Sequence, residues 1–123
     1  MIKGIGLDLI ELKRIEQSIQ TNNRIIERIL TPSEREEFYT LESNKRKIEY
    51  LSGRFAAKEA FAKAAGTGIG KLRFQDIEIQ SCESGAPKLT ASGYEKVNIF
   101  LSITHSNDYA AAQVVIEEDE QNA

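Results

Sequence analysis

The sequence predicts an α+β fold in which one long buried helix packs on a mostly antiparallel sheet. Three observations point that way. Apolar residues alternate with period two near the N-terminus and again beyond Phe74, as they do in strands. Between about residues 12 and 65 the spacing is helical instead. Within that stretch, the segment from Leu51 to Ala64 has no ordinary wet face. On a wheel of about 100° per residue, Ser52, Glu59 and Lys63 form one narrow stripe, and Arg54 and Lys58 a second. The sectors between are apolar: Leu51, Phe55 and Ala62 on one side, Ala57, Ala60, Phe61 and Ala64 on the other. A helix apolar on two sides lies between two layers. Charges kept on it have to be paired, metal-bound or turned toward a charged ligand, because an isolated buried charge is too costly.

Ile2 to Ile10 reads as a strand, with Ile5, Leu7 and Leu9 on one face and Gly4, Gly6 and Asp8 on the other. The two glycines beside Asp8 clear side-chain volume, so another backbone or a ligand can approach closely. Leu12, Ile15 and Ile19 mark a short amphipathic helix with Lys13, Arg14 and Gln17 outward. A second helical run follows Asn22 and Asn23, with Ile25, Ile26, Ile29 and Leu30 apolar. Thr31-Pro32-Ser33-Glu34 is a helix start: Thr31 caps, Pro32 suits the first position and Glu34 completes a capping box. That helix is expected to reach about Leu41. Ser43 or Asn44 opens the long helix, which continues to about Ala65 and stops at Gly66.

After a loop from Gly66 to Lys71, Phe74, Ile77 and Ile79 suggest a strand, residues 83–87 a turn, and residues 88–90 extended chain. Residues 91–97 are expected to form a short helix. Ile99, Leu101 and Ile103 alternate, Ser106-Asn107-Asp108 turns, and Ala110 to Ile116 returns as a hairpin partner. The acidic tail, residues 117–123, is expected to fray. With no repeat or linker, the 123 residues read as a single domain, 1–123.

Composition narrows the function. With 41% hydrophobic and 28% charged residues the chain is an ordinary globular one. A single cysteine, Cys82, rules out an internal disulfide framework and suits a reducing compartment. The apolar run from Ile5 to Ile10 is broken by Asp8 and too short to span a bilayer, so a cytoplasmic protein without a membrane partner is expected. Net charge is −3, but residues 44–73 carry eight Lys or Arg against two acids, and residues 74–123 nine acids against two lysines. A basic block inside an acidic chain suggests a local anionic ligand rather than nucleic acid. A solvated helix face is the plainer reading for Lys45 to Lys47.

Asp8 and Glu59 are the two acids in unusual places. If the long helix packs over the first strand, the two carboxylates converge. A carboxylate pair without His or Cys companions suits a hard cation, and Mg²⁺ is commonly held by one or two carboxylates, waters and substrate phosphates. Lys63, Arg54 and Lys58 could then meet the phosphates. The competing reading is a structural Glu59–Lys63 pair at i,i+4, with Asp8 capping the next turn. Residues 66–71, Gly-Thr-Gly-Ile-Gly-Lys, fail as a nucleotide phosphate loop, because Leu72 follows the lysine and the segment leaves a helix rather than entering one. Flexible amides there could still touch a phosphate. His105 is the one histidine, which excludes a histidine-based metal cluster within one chain. It lies at a strand end, where both a structural and a ligand-binding role are open.

The segments IGLDLIELKRIE (5–16), RILTPSERE (28–36), GRFAAKEAFAKAAGTGIG (53–70), FQDIEI (74–79) and LSITHSNDYAAAQVVIE (101–117) together resemble the holo-acyl-carrier-protein synthases, the small class of 4′-phosphopantetheinyl transferases. The resemblance runs in order along nearly the whole chain. It implies a phosphopantetheinyl transferase fold and transfer of 4′-phosphopantetheine from coenzyme A to a serine of apo acyl carrier protein. Adenosine 3′,5′-bisphosphate is released, in support of fatty acid biosynthesis. It also implies Mg²⁺ on Asp8 and Glu59, and a coenzyme A site lined by Arg54, Lys58, Lys63, the Gly66, Gly68 and Gly70 loop, His105 and Ser106.

The same resemblance implies a homotrimer with sites at subunit interfaces, one apolar sector of the long helix facing its own sheet and the other a neighbour. The acidic carrier protein would meet the first helices through Lys13, Arg14, Arg24 and Arg28. Glu59, directly or through a metal-bound water, and Lys63 are the candidates for taking the serine proton, with Asp8 completing the catalytic set. Two other readings stay open: another Mg²⁺-dependent diphosphatase, and a noncatalytic coenzyme A-binding module.

Overall fold

Period-two alternation at the N-terminus gives strand β1 (Ile2–Glu11), the first element of a computed structural model that describes residues 1–118. Four helices follow: α1 (Leu12–Thr21), α2 (Arg24–Ile29), α3 (Pro32–Thr40) and α4 (Asn44–Ala65). A 3-10 turn (Phe74–Asp76) then leads into strands β2 (Ile77–Ser81), β3 (Pro87–Ala91), β4 (Val97–His105) and β5 (Tyr109–Glu118). The long-range return of β5 makes the main sheet, ordered β1-β5-β4 and antiparallel throughout, while β2 and β3 form a separate antiparallel pair.

The helix starts follow from their capping residues. Thr31 accepts from the Glu34 amide and Glu34 accepts in return from the Thr31 amide, the reciprocal capping box. Ser43 accepts from the Arg46 amide to open α4, and Gly66 closes it in the left-handed conformation at φ 77°.

Both apolar sectors of α4 are covered within the chain. Ala56, Ala57, Ala60 and Phe61 are buried against Ala112, Val114 and Ile116 of β5 and the β2–β3 pair. Leu51 is buried, and Phe55 packs, against Ile15, Ile26, Ile29, Phe38 and Phe74 from the helical layer and the 3-10 turn. Burial of side chains such as Leu51 and Phe61 stabilises by about 1.5–3 kcal/mol each. The expected face of α4 toward a neighbouring subunit is therefore corrected: α1 to α3 occupy it.

The open apolar surface lies elsewhere, on the outer face of the main sheet. Ile5, Leu7, Leu9 and Phe100 are each more than half exposed. Ile5 and Phe100 both align with Val115, which puts them on one rung of the same face.

Two further expectations change. Residues 92–96 are turns, not a helix, because Gly93 sits at φ 89° and the Tyr94 amide closes onto Ala91. Glu117 and Glu118 do not fray: both are strand residues, aligned with Ile2 and Val97 respectively. The rest of the tail expected to fray, residues 119–123, lies outside the described residues.

Candidate active site

Backbone proximity builds the site. Gly4, Gly6 and Asp8 alternate on the face of β1 that looks at α4. A Cβ at Gly4 would collide with the Ala64 carbonyl, and one at Gly6 with the Ala60 carbonyl. Only glycine allows the helix to lie this close to the strand. The approach carries Lys63 onto Asp8: the Lys63 ammonium donates to Asp8 Oδ1 and to the Leu7 carbonyl, each at 3.0 Å. The Asp8 side chain is 15% exposed and that of Lys63 52%, so the carboxylate is fixed while half the lysine stays in water.

Glu59 joins them from the preceding turn of α4. Burial first, and then the negative charge of Asp8, hold its carboxyl above its ordinary pKa, with Lys63 pulling the other way. Two carboxylates in each other's field, with no hydrogen bond to the Glu59 side chain among the described residues, leave an unmet demand for positive charge. No group of three or more His, Cys, Asp or Glu converges among the described residues. A cation held here would have two protein carboxylates, with its other positions left to water and phosphate. That donor set fits Mg²⁺ and not a protein-caged zinc.

The loop after α4 brings Gly66, Gly68 and Gly70 just beyond Lys63. Their amides are already engaged, Gly66 with Lys63, Gly68 with Ala62 and Gly70 with Leu72. As folded, these three amides are not free donors.

Arg54 and His105 form a second basic cluster, apart from the first. They line a cleft of about 420 Å³ together with Arg46, Glu49 and Tyr50. The Arg54 guanidinium lies 4.2 Å from the centre of the Tyr50 ring, and its Nε and Nη2 are buried without a hydrogen-bond partner among the described residues. His105 Nδ1 lies 3.5 Å from Glu49, an ion pair only when the imidazole is protonated. Ser106 Oγ accepts from the Asp108 and Tyr109 amides and so shapes the β4–β5 turn. The helix explains the separation. It crosses the sheet diagonally, Gly53 against Ile103 of β4 and Ala60 and Ala64 against β1. The two clusters thus lie toward opposite edges, two strand spacings or about 10 Å apart. One chain does not bring them together.

Lys58 leaves the candidate site altogether. Its ammonium is fully buried and donates to Glu34 Oε1 at 2.6 Å, the Ile29 carbonyl at 2.7 Å and the Phe74 carbonyl at 3.1 Å. Burial pulls its pKa down, and Glu34 pulls it back up. All three ammonium hydrogens have acceptors, so nothing remains for a phosphate. The expected contact of Lys58 with coenzyme A is corrected for that reason. Sequence spacing flagged Lys58 as a charge needing a partner, but Glu34, 24 positions earlier, read only as a capping residue.

On the helical side, Arg14, Arg24 and Arg28 line one groove of about 620 Å³ with Gln17 and Ser18. Lys13 lines a different groove with Glu11 and Asp108. The three arginines converge; the lysine does not.

The sequence profile of the 4′-phosphopantetheinyl transferase superfamily matches residues 4–114. The chain is 57% identical over 117 residues to the holo-[acyl-carrier-protein] synthase of Oceanobacillus iheyensis, covering 95% of this chain and 98% of the relative. It is 56% identical over 118 residues to that of Bacillus subtilis, covering 95% and 97%. The fold matches the crystal structure of the Bacillus anthracis holo-(acyl-carrier-protein) synthase in complex with CoA (3′,5′-ADP), with a TM-score of 0.89, 48% identity and coverage of 97% and 99%. The Helicobacter pylori synthase in complex with coenzyme A matches at 0.79, with 36% identity and coverage of 92% and 99%. With Asp8, Glu59 and Lys63 gathered where β1 meets α4, and similarity running nearly end to end, the chain belongs to the 4′-phosphopantetheinyl transferase superfamily.

Proposed function

We propose that this chain is a holo-[acyl-carrier-protein] synthase, moving 4′-phosphopantetheine from coenzyme A to a serine hydroxyl of apo acyl carrier protein. The observation that carries this reading is the Asp8–Glu59–Lys63 cluster, in a chain similar over nearly its full length to synthases of that name. The serine oxygen forms a bond to the pantetheine-side phosphorus of the diphosphate. The bond from that phosphorus to the bridging oxygen breaks, and adenosine 3′,5′-bisphosphate departs. Phosphoryl-type transfer of this kind needs charge neutralisation and in-line positioning more than a covalent intermediate. The nucleophile comes from the partner, so a catalytic serine or cysteine of this chain is not required.

Asp8 and Glu59 would hold Mg²⁺, which supplies positive charge to the diphosphate when bound. Glu59, directly or through a water on the bound cation, is assigned to take the serine proton. Lys63, half in water, is free to turn from Asp8 toward the leaving phosphate. Arg54 and His105 are assigned to the same coenzyme A molecule, contributed by a neighbouring subunit of the homotrimer. The outer sheet face bearing Ile5, Leu7, Leu9 and Phe100 is the surface assigned to a homotrimer contact, a patch of a kind that marks interaction sites. The groove of Arg14, Arg24 and Arg28 is assigned to the acidic carrier. We place the reaction in the cytoplasm, in the service of fatty acid biosynthesis.

One assay tests the core of this. The protein is incubated with coenzyme A, Mg²⁺ and apo carrier protein, and the carrier is weighed by mass spectrometry. A gain of one phosphopantetheine, lost in Glu59→Ala, is expected. Turnover of coenzyme A without carrier would mean a diphosphatase instead. Binding of coenzyme A with no product in any combination would mean a noncatalytic module.

A further inference from the structure

The six residues of α2 are too few to hold a helix in water by themselves. Yet α2 carries Arg24 and Arg28, two of the three arginines of the basic groove. A helix leaves its last carbonyls without intrahelical partners. In α2 these are met from outside. Gln75 Nε2, on the 3-10 turn, lies 2.8 Å from the Glu27 carbonyl, 3.2 Å from that of Arg28 and 2.8 Å from that of Leu30. Lys58 Nζ, on α4, donates to the Ile29 carbonyl at 2.7 Å. Four successive carbonyls, 27 to 30, therefore meet one amide and one ammonium.

The two donors are themselves coupled. The Lys58 ammonium also donates to the carbonyl of Phe74, the residue before Gln75, and to Glu34 at the start of α3. Glu34 Oε2 in turn accepts from the Ile79 amide of β2. The end of α2 is thus fixed to α4 one residue away from Glu59.

We propose that Lys58 and Gln75 are positioning residues for the acceptor. Together they cap the C-terminal end of α2 and set its arginines at a fixed distance from Glu59, so that a docked carrier delivers its serine to the reacting phosphorus. This rests on the reading that the Arg14–Arg24–Arg28 groove receives the carrier. Neither residue touches substrate in this role. Lys58 acts from inside the fold, and Gln75 from its surface.

Gln75→Leu is the informative variant, because Gln75 is exposed and its loss leaves the buried Lys58–Glu34 pair in place. It keeps the side-chain bulk and removes the donors. The expected results are faster amide exchange confined to residues 24–30 and a KM for the carrier raised about five- to tenfold, the factor for about one lost net hydrogen bond. The KM for coenzyme A stays unchanged. Gln75→Lys, which restores a donor to the carbonyls, returns both readouts toward wild type, whereas a purely structural role would not separate the two KM values. Unchanged exchange over residues 24–30 in Gln75→Leu overturns the cap. An unchanged carrier KM in that variant, while Arg28→Glu raises it, overturns the positioning role. If Arg14→Glu and Arg28→Glu both leave carrier KM and association rate at low salt unchanged, the docking reading falls, and the positioning role with it.

Discussion

Lys58 and Lys63 lie five residues apart on one helix, and each donates to a carboxylate at hydrogen-bonding distance: 2.6 Å to Glu34 and 3.0 Å to Asp8. Their surroundings make them opposites. Lys58 has no exposure and three acceptors, and Glu34 has further donors in the Thr31 and Ile79 amides. Around Lys63 the lysine is half in water, and a second carboxylate, Glu59, stands close enough to be pushed up in pKa by Asp8. The closed pair uses its hydrogen-bonding capacity on the fold. The open one retains charge and freedom that a ligand can use. A short lysine–carboxylate distance does not by itself separate structure from function; the valence left over does.

The strongest break of this comparison is Glu34→Gln. It keeps the shape of the side chain and strands the Lys58 ammonium in a site that water does not reach. Removing one member of a buried pair costs about 3–5 kcal/mol, to be read as a lower midpoint in urea unfolding. Replacing both residues, Glu34→Leu with Lys58→Met, should recover a good part of that loss, because the uncompensated charge disappears. Full recovery is not expected, since the Thr31 and Ile79 amides lose their acceptor. A single variant within about 1 kcal/mol of wild type would mean that the pair is not closed.

Lys63→Met probes the open pair and should show the reverse pattern. The ion pair is exposed enough that its contribution to stability is under about 1 kcal/mol. The rate of phosphopantetheine transfer should fall about a hundredfold, typical for removing one group that meets charge developing in a transition state. Lys63→Arg should restore part of the rate, keeping the charge but not its position. Transfer at the wild-type rate would return Lys63 to the ranks of surface ion pairs.

Much of this was legible in the sequence because it depends on local rules. The capping box at Thr31 and Glu34, the stop at Gly66, and the glycine face beside Asp8 each follow from a few neighbouring residues. The convergence of Asp8 with the long helix was legible for the same reason, since Gly4 and Gly6 advertise a close approach. What failed to read was the identity of partners distant in sequence. Lys58 sits on a stripe like that of Lys63, and periodicity cannot say that one stripe meets Glu34 while the other meets solvent. The second apolar sector of α4 was visible, but whether its own chain or another covers it depends on how α1 to α3 fold back. Gln75 gave no signal, because a glutamine on a short turn looks solvated. Residues 92–96, expected to lie in a short helix, are turns because Gly93 takes a positive φ.

The last test concerns why the open pair stays reactive, and it turns on Glu59. Burial is the largest cause of its raised pKa and the Asp8 charge the next. A carboxyl raised in the folded state holds its proton more tightly there than in the unfolded chain. Its contribution to stability is therefore present below the unfolded carboxylate pKa and lost as pH rises through the folded value. Asp8→Asn removes the second cause and leaves the first, so Glu59 should titrate at lower pH than in wild type while remaining above an ordinary glutamate. The step is followed by NMR of the Glu59 carboxyl carbon in metal-free protein. Adding Mg²⁺ to wild type should move the same titration down, because a cation between two carboxylates favours their charged forms. In Asp8→Asn that response should be much weaker. If Glu59 titrates alike in both proteins, the two carboxylates do not share a field, and the open pair is no different in kind from the closed one.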